Sequence, residues 1–160
     1  MVVNNESVGL GPALRRAWVG YRLRLDAALA EAGFGDRGFP DGRVLRFCTQ
    51  AERTIADIGR ELRITRQGAG KVVTNLRERG YVTLTPSPAD GREKIVTPTS
   101  KAIAYLSAQA DAAAEIERQL RDQLGPEGFT ALAALTDALT EDGQPRAADY
   151  LRGLRDRFGE

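Results

Sequence analysis

The stretch TRQGAGKVVTNLRERG, from Thr65 to Gly80, has the pattern of an amphipathic helix with a defined beginning and end. Threonine is a favoured N-cap residue, and glycine commonly ends a helix because it adopts a left-handed backbone conformation at little cost. Small and apolar residues recur at the i, i+3, i+4, i+7 spacing of one helix face. These residues, which we predict to be buried, are Ala69, Val72, Val73 and Leu76.

The opposite face of this helix is polar and leaves room for close contact. It carries Gln67, Lys71, Thr74 and Glu78, with Gly70 and Asn75 beside them. Such groups bond to base edges and phosphates, so the face suits DNA, although an ordinary solvated face is the alternative. Gly68 and Gly70 each cost the helix about 1 kcal/mol. We interpret Gly70 as permitting close approach to DNA, and Gly68 as permitting tight packing against the preceding helix.

Just before this helix the sequence predicts a shorter one, from Thr54 to Leu62. Thr54 and Asp57 have the spacing of a capping box, in which each side chain bonds to the other residue's backbone. Only Arg63 and Ile64 separate the two helices. Two short helices joined by so short a turn predict a helix-turn-helix unit. The face that would pack against the next helix is Ile55, Ile58, Gly59 and Leu62.

After the central helix the periodicity changes to two, which predicts strands. One strand covers Tyr81 to Thr85, and a returning strand covers Glu93 to Thr97. Between them Asp90-Gly91 is a strong signal for a tight turn. A β-hairpin directly after a helix-turn-helix is typical of a wing, and here Arg92 stands at its tip with Lys94 close behind.

Further helical patterns lie on both sides of residues 54–97. They run from Pro12 to Ala32, Asp41 to Gln50, Thr99 to Leu124 and Gly125-Pro126 through Leu139, with a last one beyond Pro145 that ends near Phe158. On the longest, apolar residues alternate between spacings of three and four, which suits packing against one partner helix. The predicted fold class is mainly α with a small β-hairpin wing. The narrow stripe comprises Ile103, Leu106, Ala110, Ala113, Leu120 and Leu124.

Composition excludes several kinds of function. The 160 residues include no histidine and one cysteine, so nucleophilic catalysis and a zinc site lack candidate residues, and we expect neither an enzyme nor a cofactor. No apolar run reaches the roughly 20 residues that span a bilayer, and no signal peptide is visible, so we expect the cytoplasm. Net charge is only +1, yet residues 43–94 hold eleven Lys or Arg against six Asp or Glu. A basic middle fits a polyanionic partner.

The single cysteine, Cys48, has two interpretations. A redox-sensing thiol needs a lowered pKa and exposure to solvent. Cys48 stands between Phe47 and Thr49 in a short apolar helical segment, which favours an inert, buried thiol.

Taken in order, these features resemble the MarR family of bacterial transcriptional regulators, over about 10–139. The most specific part is RTIADIGRELRITRQGAGKVVTNLRERGYVTLTPSPADGREKIVTPT, residues 53–99, which looks like the family's helix-turn-helix, strand, wing and second strand. Asp90 and Arg92 match the family's wing-tip Asp-x-Arg, in which the aspartate orients the arginine and the arginine enters the minor groove. LRERGY matches the usual end of the second helix. After the wing the chain departs from the family's Leu-Thr-x-x-Gly, with Pro98, Thr99 and Ala102 at those positions.

The resemblance implies how the chain is organised and what it binds. Residues 1–160 would form one MarR-like domain, with a winged helix-turn-helix over 41–98 and dimerisation helices over 12–33 and 99–160. Such a protein is a homodimer that binds double-stranded DNA at an inverted repeat, usually as a repressor. The residues expected to contact DNA are Thr65, Arg66, Gln67, Gly70, Lys71, Thr74, Asn75, Arg92 and Lys94.

Members of the family often respond to small aromatic or phenolic ligands. The resemblance implies a pocket between the dimerisation helices and the winged helix. Ordinary core packing is the alternative for the aromatic candidates, and Arg22 would hold an anion. Two other functions stay open: a winged helix used for protein–protein contact, and sequence-blind architectural DNA binding. The candidate ligand-binding residues are Trp18, Tyr21, Arg22 and Phe47.

Overall fold

The computed structural model describes residues 9–36, 38, 40–88 and 93–140. Within these residues most of the chain is helical, and short strands form one antiparallel sheet. In chain order the elements are α1 (Leu10–Glu31), α2 (Asp41–Gln50), β1 (Arg53–Thr54), α3 (Ile55–Leu62), α4 (Arg66–Glu78), β2 (Val82–Pro86), β3 (Lys94–Pro98) and α5 (Ser100–Thr140). The last predicted helix, near Phe158, lies outside the described residues.

Helices α3 and α4 form the predicted helix-turn-helix. The Thr54 hydroxyl accepts a hydrogen bond from the Asp57 N–H at 3.2 Å, and the Asp57 carboxylate accepts one from the Thr54 N–H at 2.8 Å, which completes the capping box. Helix α3 ends at Arg63, whose φ of 55° is the left-handed conformation that glycine usually supplies. Gly59 lets the turn approach α3, because a Cβ there would lie 3.3 Å from the Ile64 carbonyl oxygen.

Helix α4 ends as the sequence predicts. Gly80 has a φ of 77°. Its N–H donates to the Arg77 carbonyl, and the Tyr81 N–H donates to the Leu76 carbonyl, both at 2.9 Å. These two bonds form a Schellman motif, which satisfies carbonyls at the helix end and fixes the direction in which the chain enters β2.

The sheet contains one strand that the sequence did not predict. Strands β2 and β3 form the expected hairpin, each displaced by one residue from its predicted span. On the other side of β3, Arg53 pairs with Val96 and Thr54 pairs with Ile95, so the strand order is β1-β3-β2. Two residues are too few to show a period, and Thr54 had been assigned to a helix cap. It serves both roles and ties the sheet to the start of α3.

Helix α5 carries more apolar surface than the chain's own core covers. Ala102, Tyr105 and Ile116 are buried, whereas Ile103 is 53% exposed and Leu124 is 48% exposed. Two residues of the predicted stripe, Leu106 and Leu120, are partly buried against the core. Packing of the stripe against a partner helix stays a prediction.

Thr99 and Gly125 define the beginning and the bend of α5. The Thr99 hydroxyl donates to the Gly80 carbonyl at 2.7 Å, and the Thr99 carbonyl accepts from the Ile103 N–H at 3.1 Å. Thr99 thus joins the start of α5 to the end of α4. Gly125, with a φ of 69°, precedes Pro126 and kinks the helix where a break was predicted.

The core lies where the helices meet the sheet. The Tyr105 ring packs edge-on against the rings of both Phe34 and Tyr81, with centroids 5.7 Å apart in each case. Val72 on α4 is only partly buried. The mainly α fold with a winged helix-turn-helix is confirmed. Around the tyrosines the fully buried side chains include Leu29, Leu45, Ile58, Val73, Leu76, Val82 and Val96.

Candidate nucleic-acid interface

The polar face of α4 is open to solvent. On an α-helix, side chains three and four residues apart share a face, so burial of one stripe exposes the opposite one. The buried stripe contains Ala69, Val73 and Leu76. The exposed side chains include five that are expected to contact DNA, together with Arg77 and Glu78; the five are Arg66, Gln67, Lys71, Thr74 and Asn75.

The two glycines of α4 have different surroundings. The Thr65 hydroxyl caps the helix by accepting from the Gly68 N–H at 3.0 Å. A Cβ on Gly68 would lie 3.3 Å from that hydroxyl oxygen and 3.6 Å from Cδ1 of Ile64, so it would crowd the N-cap and the turn rather than helix α3. A Cβ on Gly70 would meet no atom within 4 Å. Packing within the chain therefore does not require Gly70, and close approach to DNA there stays a prediction.

A groove of about 340 Å³ lies between α4 and the β2–β3 hairpin, and we call it the α4–wing groove. It brings together four residues expected to contact DNA, namely Arg66, Gly70, Thr74 and Lys94, and it also contains Arg77 and Glu93. Three cations against one carboxylate give the groove a positive balance, which suits a phosphate backbone. Thr54, Ile55 and Leu84 complete its lining.

Arg77 is a groove residue that the sequence analysis missed. It follows Gly70 by seven positions and Thr74 by three, so helical geometry places all three on one side of α4. That spacing was a usable signal. The face opposite the buried stripe does not include Arg77, whereas the hairpin extends the surface sideways to it.

The tip of the wing lies outside the described residues. Asp90 and Arg92 belong to it, so their supporting and minor-groove roles stay predictions. Lys94 is described: it is exposed at the start of β3, where it pairs with Pro86 across the hairpin.

The other end of α4 is held by a network of charged residues, which we call the α4 anchor: Asp36, Asp41, Arg79, Tyr81 and Lys101. Arg79 donates through Nη1 to Oδ2 of Asp41 and to the Asp36 carbonyl, both at 2.7 Å. Lys101 donates through Nζ to Oδ2 of Asp36 and to the Arg79 carbonyl, both at 2.9 Å. The Tyr81 hydroxyl donates to Oδ1 of Asp36 at 2.6 Å. The anchor thereby joins the α1–α2 loop, α4, the β2 start and α5.

The anchor shifts the proton affinities of its members. Burial raises the pKa of Asp36, but the hydrogen bonds from Tyr81 and Lys101 and the charges of Lys101 and Arg79 outweigh it, so the pKa lies below its ordinary value. Burial, together with the bond to Asp36, raises the pKa of Tyr81. The hydrogen bond to Asp41 raises the pKa of Arg79. At neutral pH Asp36 is therefore ionised, whereas Tyr81 and Arg79 stay protonated, as their bonds require.

A cavity of about 490 Å³ lies between α1, α2 and α5. Three of the four candidate ligand residues line it, namely Trp18, Tyr21 and Arg22. The Trp18 and Tyr21 rings are stacked with centroids 6.0 Å apart. Phe47 is not part of this lining; its ring lies 4.1 Å from the Arg53 guanidinium. Further lining comes from Asp41, Gly42, Arg43, Arg46, Tyr105, Leu106 and Gln109.

Cys48 has the surroundings of an inert thiol. Its side chain is buried, and burial raises the pKa of the thiol to about 11. Reactive cysteines need the opposite shift together with exposure. The structure thus supports the inert interpretation over the redox-sensing one.

The described residues show neither a metal-binding cluster nor a membrane-spanning helix. Among them, no cluster of three or more His, Cys, Asp or Glu is arranged to hold a metal ion. Within the same part of the chain, no helix combines the length and apolar character needed to cross a bilayer.

Comparison with known proteins agrees with this geometry. The sequence profile of the MarR family matches residues 37–93, which include α2 to β2 and end just before β3. No curated protein matches the chain in sequence.

Solved structures share the fold over most of the chain. The transcriptional repressor CouR, bound to a 23-mer DNA duplex, is 25% identical with a TM-score of 0.63, over 87% of this chain and 97% of its own. The MepR–DNA complex of S. aureus is 23% identical with a TM-score of 0.65, over 79% and 95%. The reduced form of E. coli MarR is 19% identical with a TM-score of 0.67, over 85% and 99%. The chain thus matches the profile of the MarR family over residues 37–93 and shares the fold of these solved structures.

Proposed function

We propose that the chain is a sequence-specific, DNA-binding transcriptional regulator that acts as a homodimer on an inverted-repeat operator, as a repressor in the cytoplasm. The observation that carries the proposal is the exposed polar face of α4, which continues into the α4–wing groove with Arg66, Arg77 and Lys94. CouR and MepR, which share the fold, were each solved with DNA, and this supports the same role here.

Residue roles follow from the chemistry of each group. Gln67 and Asn75 are proposed to read base edges, because amides pair with adenine through two hydrogen bonds. Lys71, Thr74 and Arg77 are proposed to hold phosphates, as most protein–DNA hydrogen bonds do. In a two-fold dimer the two copies of α4 would enter successive major grooves of an inverted repeat.

Exposed apolar side chains support a homodimer built from α1 and α5. Leu23 on α1 is 64% exposed, and Ile103 and Leu124 on α5 are about half exposed. Apolar faces of this kind mark interaction surfaces. Leu23→Glu should convert a dimer to a monomer in sedimentation velocity, whereas Gln50→Glu, at the exposed end of α2, should leave a dimer intact.

The cavity beside α1 supports a small aromatic or phenolic effector. Its volume falls in the range of ligand sites, and Trp18 and Tyr21 offer aromatic surface beside the Arg22 cation. Binding of an effector there would release the operator.

The deciding experiment is fluorescence-anisotropy binding to the DNA upstream of the chain's own gene, with a random duplex as comparison, titrated with salt and with phenolic acids. Tight binding to the upstream DNA with a steep salt dependence supports the proposal, and release by a phenolic acid supports the effector site. Equal binding to both duplexes would favour an architectural role. No retention of either duplex at low salt would favour a protein-contact module.

A further inference from the structure

The α4–wing groove contains one acid among its cations. Glu93 lines it together with Arg66, Arg77 and Lys94. A carboxylate at a surface that meets phosphates opposes binding, since like charges repel at close range. A contribution to DNA affinity therefore does not explain why Glu93 lies among the cations of this groove.

The position of Glu93 is set by the hairpin. Its carbonyl accepts from the Ser87 N–H at 2.9 Å, one step beyond the Pro86–Lys94 pair that ends the strand ladder. The backbone bond fixes where the side chain starts. The side chain is 34% exposed, so much of it is covered by the groove.

Glu93 forms an ion pair with the N-terminal end of α4. Its Oε1 lies 3.9 Å from an Nη atom of Arg66, whose side chain is 67% exposed. This distance and exposure make the pair weak, so a DNA phosphate can replace the carboxylate as the partner of Arg66. Until that happens, the guanidinium is held on the hairpin side of the helix.

We propose that Glu93 is a positioning residue that limits sequence-blind DNA binding: in the DNA-free protein it pairs with Arg66 within the α4–wing groove, and a phosphate must replace its carboxylate before Arg66 can bind DNA. Every duplex bears the cost of breaking this pair. A cognate site offsets the cost through base contacts from the rest of α4, whereas a random sequence lacks those contacts and stays weakly bound. This inference rests on the proposed DNA-binding function.

The test compares two substitutions that change net charge equally. Glu93→Gln removes the acid of the groove. Glu61→Gln is a matched control, because the Glu61 side chain is 33% exposed and pairs with Arg43 at 2.8 Å on the far side of α3. Binding to a random-sequence duplex is measured by anisotropy over a range of salt concentrations. Each change is repeated with Arg66→Gln, and urea unfolding verifies that the variants fold.

We expect Glu93→Gln to tighten random-duplex binding about five- to tenfold near 0.1 M salt and to steepen the salt slope by about one unit, the effect of roughly one more released counterion. Glu61→Gln should change the affinity less than about twofold. In the Arg66→Gln protein, most of the effect of Glu93→Gln should disappear.

Three results would overturn the proposal. Equal effects of Glu93→Gln and Glu61→Gln would mean that only net charge matters. Persistence of the effect without Arg66 would mean that Glu93 does not act through that residue. Weaker binding by Glu93→Gln would make Glu93 a direct DNA contact. The wild-type protein tests the proposed function separately, because its failure to bind either duplex would overturn both.

Discussion

The two ends of α4 are held in opposite ways. At the N-terminal end, Arg66 forms a single, exposed ion pair of 3.9 Å with the hairpin. At the C-terminal end, Arg79 lies 2.7 Å from an almost buried Asp41, within a network that reaches α5. Exposed pairs contribute little to stability, whereas a buried pair is costly to break. One end of the helix is thus fixed to the fold, and the other keeps its charge available for a partner.

The largest effect on the free energy of unfolding should come from disrupting the α4 anchor. Asp41→Asn removes the carboxylate from Arg79 and leaves a largely buried guanidinium without its charge partner. Loss of one member of a buried pair costs about 3 kcal/mol, and urea unfolding monitored by circular dichroism would measure it. Glu93→Gln makes the same chemical change at the exposed end and should cost less than about 1 kcal/mol. Equal costs would remove the distinction between the two ends.

Removing a positive charge from the polar face of α4 should weaken DNA binding and leave the stability of the fold unchanged. Lys71→Gln removes an exposed cation from the polar face of α4. We expect affinity for any duplex to fall about five- to tenfold near 0.1 M salt, with a salt slope flatter by about one unit. Arg118→Gln, on the distant part of α5, serves as the equal-charge control. An unchanged slope for Lys71→Gln would place Lys71 outside the interface.

Substitution of Gly70 by alanine should raise the stability of the fold and weaken DNA binding. Gly70→Ala adds a methyl group where no atom lies within 4 Å, so helix propensity should stabilise the fold by about 0.5–1 kcal/mol. The same methyl group should weaken operator binding, because Gly70 lies on the side of α4 that is proposed to approach DNA. Gly68→Ala, which crowds the Thr65 cap, should gain less stability. Undiminished operator binding by Gly70→Ala would show that close approach does not occur there.

The smallest effect should be on the pH dependence of the unfolding free energy, through Asp36 of the α4 anchor. Because the pKa of Asp36 is lowered in the folded state, its contribution is complete above the unfolded pKa near 3.9 and is lost as the pH falls through the folded value. The side chain is 40% exposed, so solvent screening keeps this contribution below about 1 kcal/mol. Asp36→Asn should therefore flatten the loss of unfolding free energy between about pH 5 and pH 2. Asp122→Asn, on α5, is the control, and identical pH profiles for the two variants would contradict the assignment.

Local signals in the sequence predicted the two bounds and the buried stripe of α4 well, and the α4 anchor poorly. The Thr65 cap, the buried stripe and the Gly80 stop lie within one turn or one helix of each other, so spacing reveals them. The anchor joins Asp41 to Arg79, 38 positions apart, and Asp36 to Lys101, 65 positions apart. No periodic pattern connects such residues, because only the folded chain brings them together.

The same distinction explains the errors elsewhere. Strand β1 depends on pairing with β3, and a two-residue strand has no period of its own. The spacing of the α5 stripe predicts packing against a partner helix, but it does not show that Ala102, Tyr105 and Ile116 beside the stripe enter the chain's own core. Arg77 was missed because the neighbouring hairpin, rather than the helix alone, defines the groove.

The stacked pair in the α1 cavity gives the protein an intrinsic optical probe. Trp18 is the chain's only tryptophan, and it forms part of the lining of that cavity, whereas the α4–wing groove contains none. Indole emission excited at the red edge of its absorption band therefore reports on a single location. A change of intensity or wavelength on adding a small molecule would count occupied cavities directly, without a label, a duplex or any knowledge of the operator.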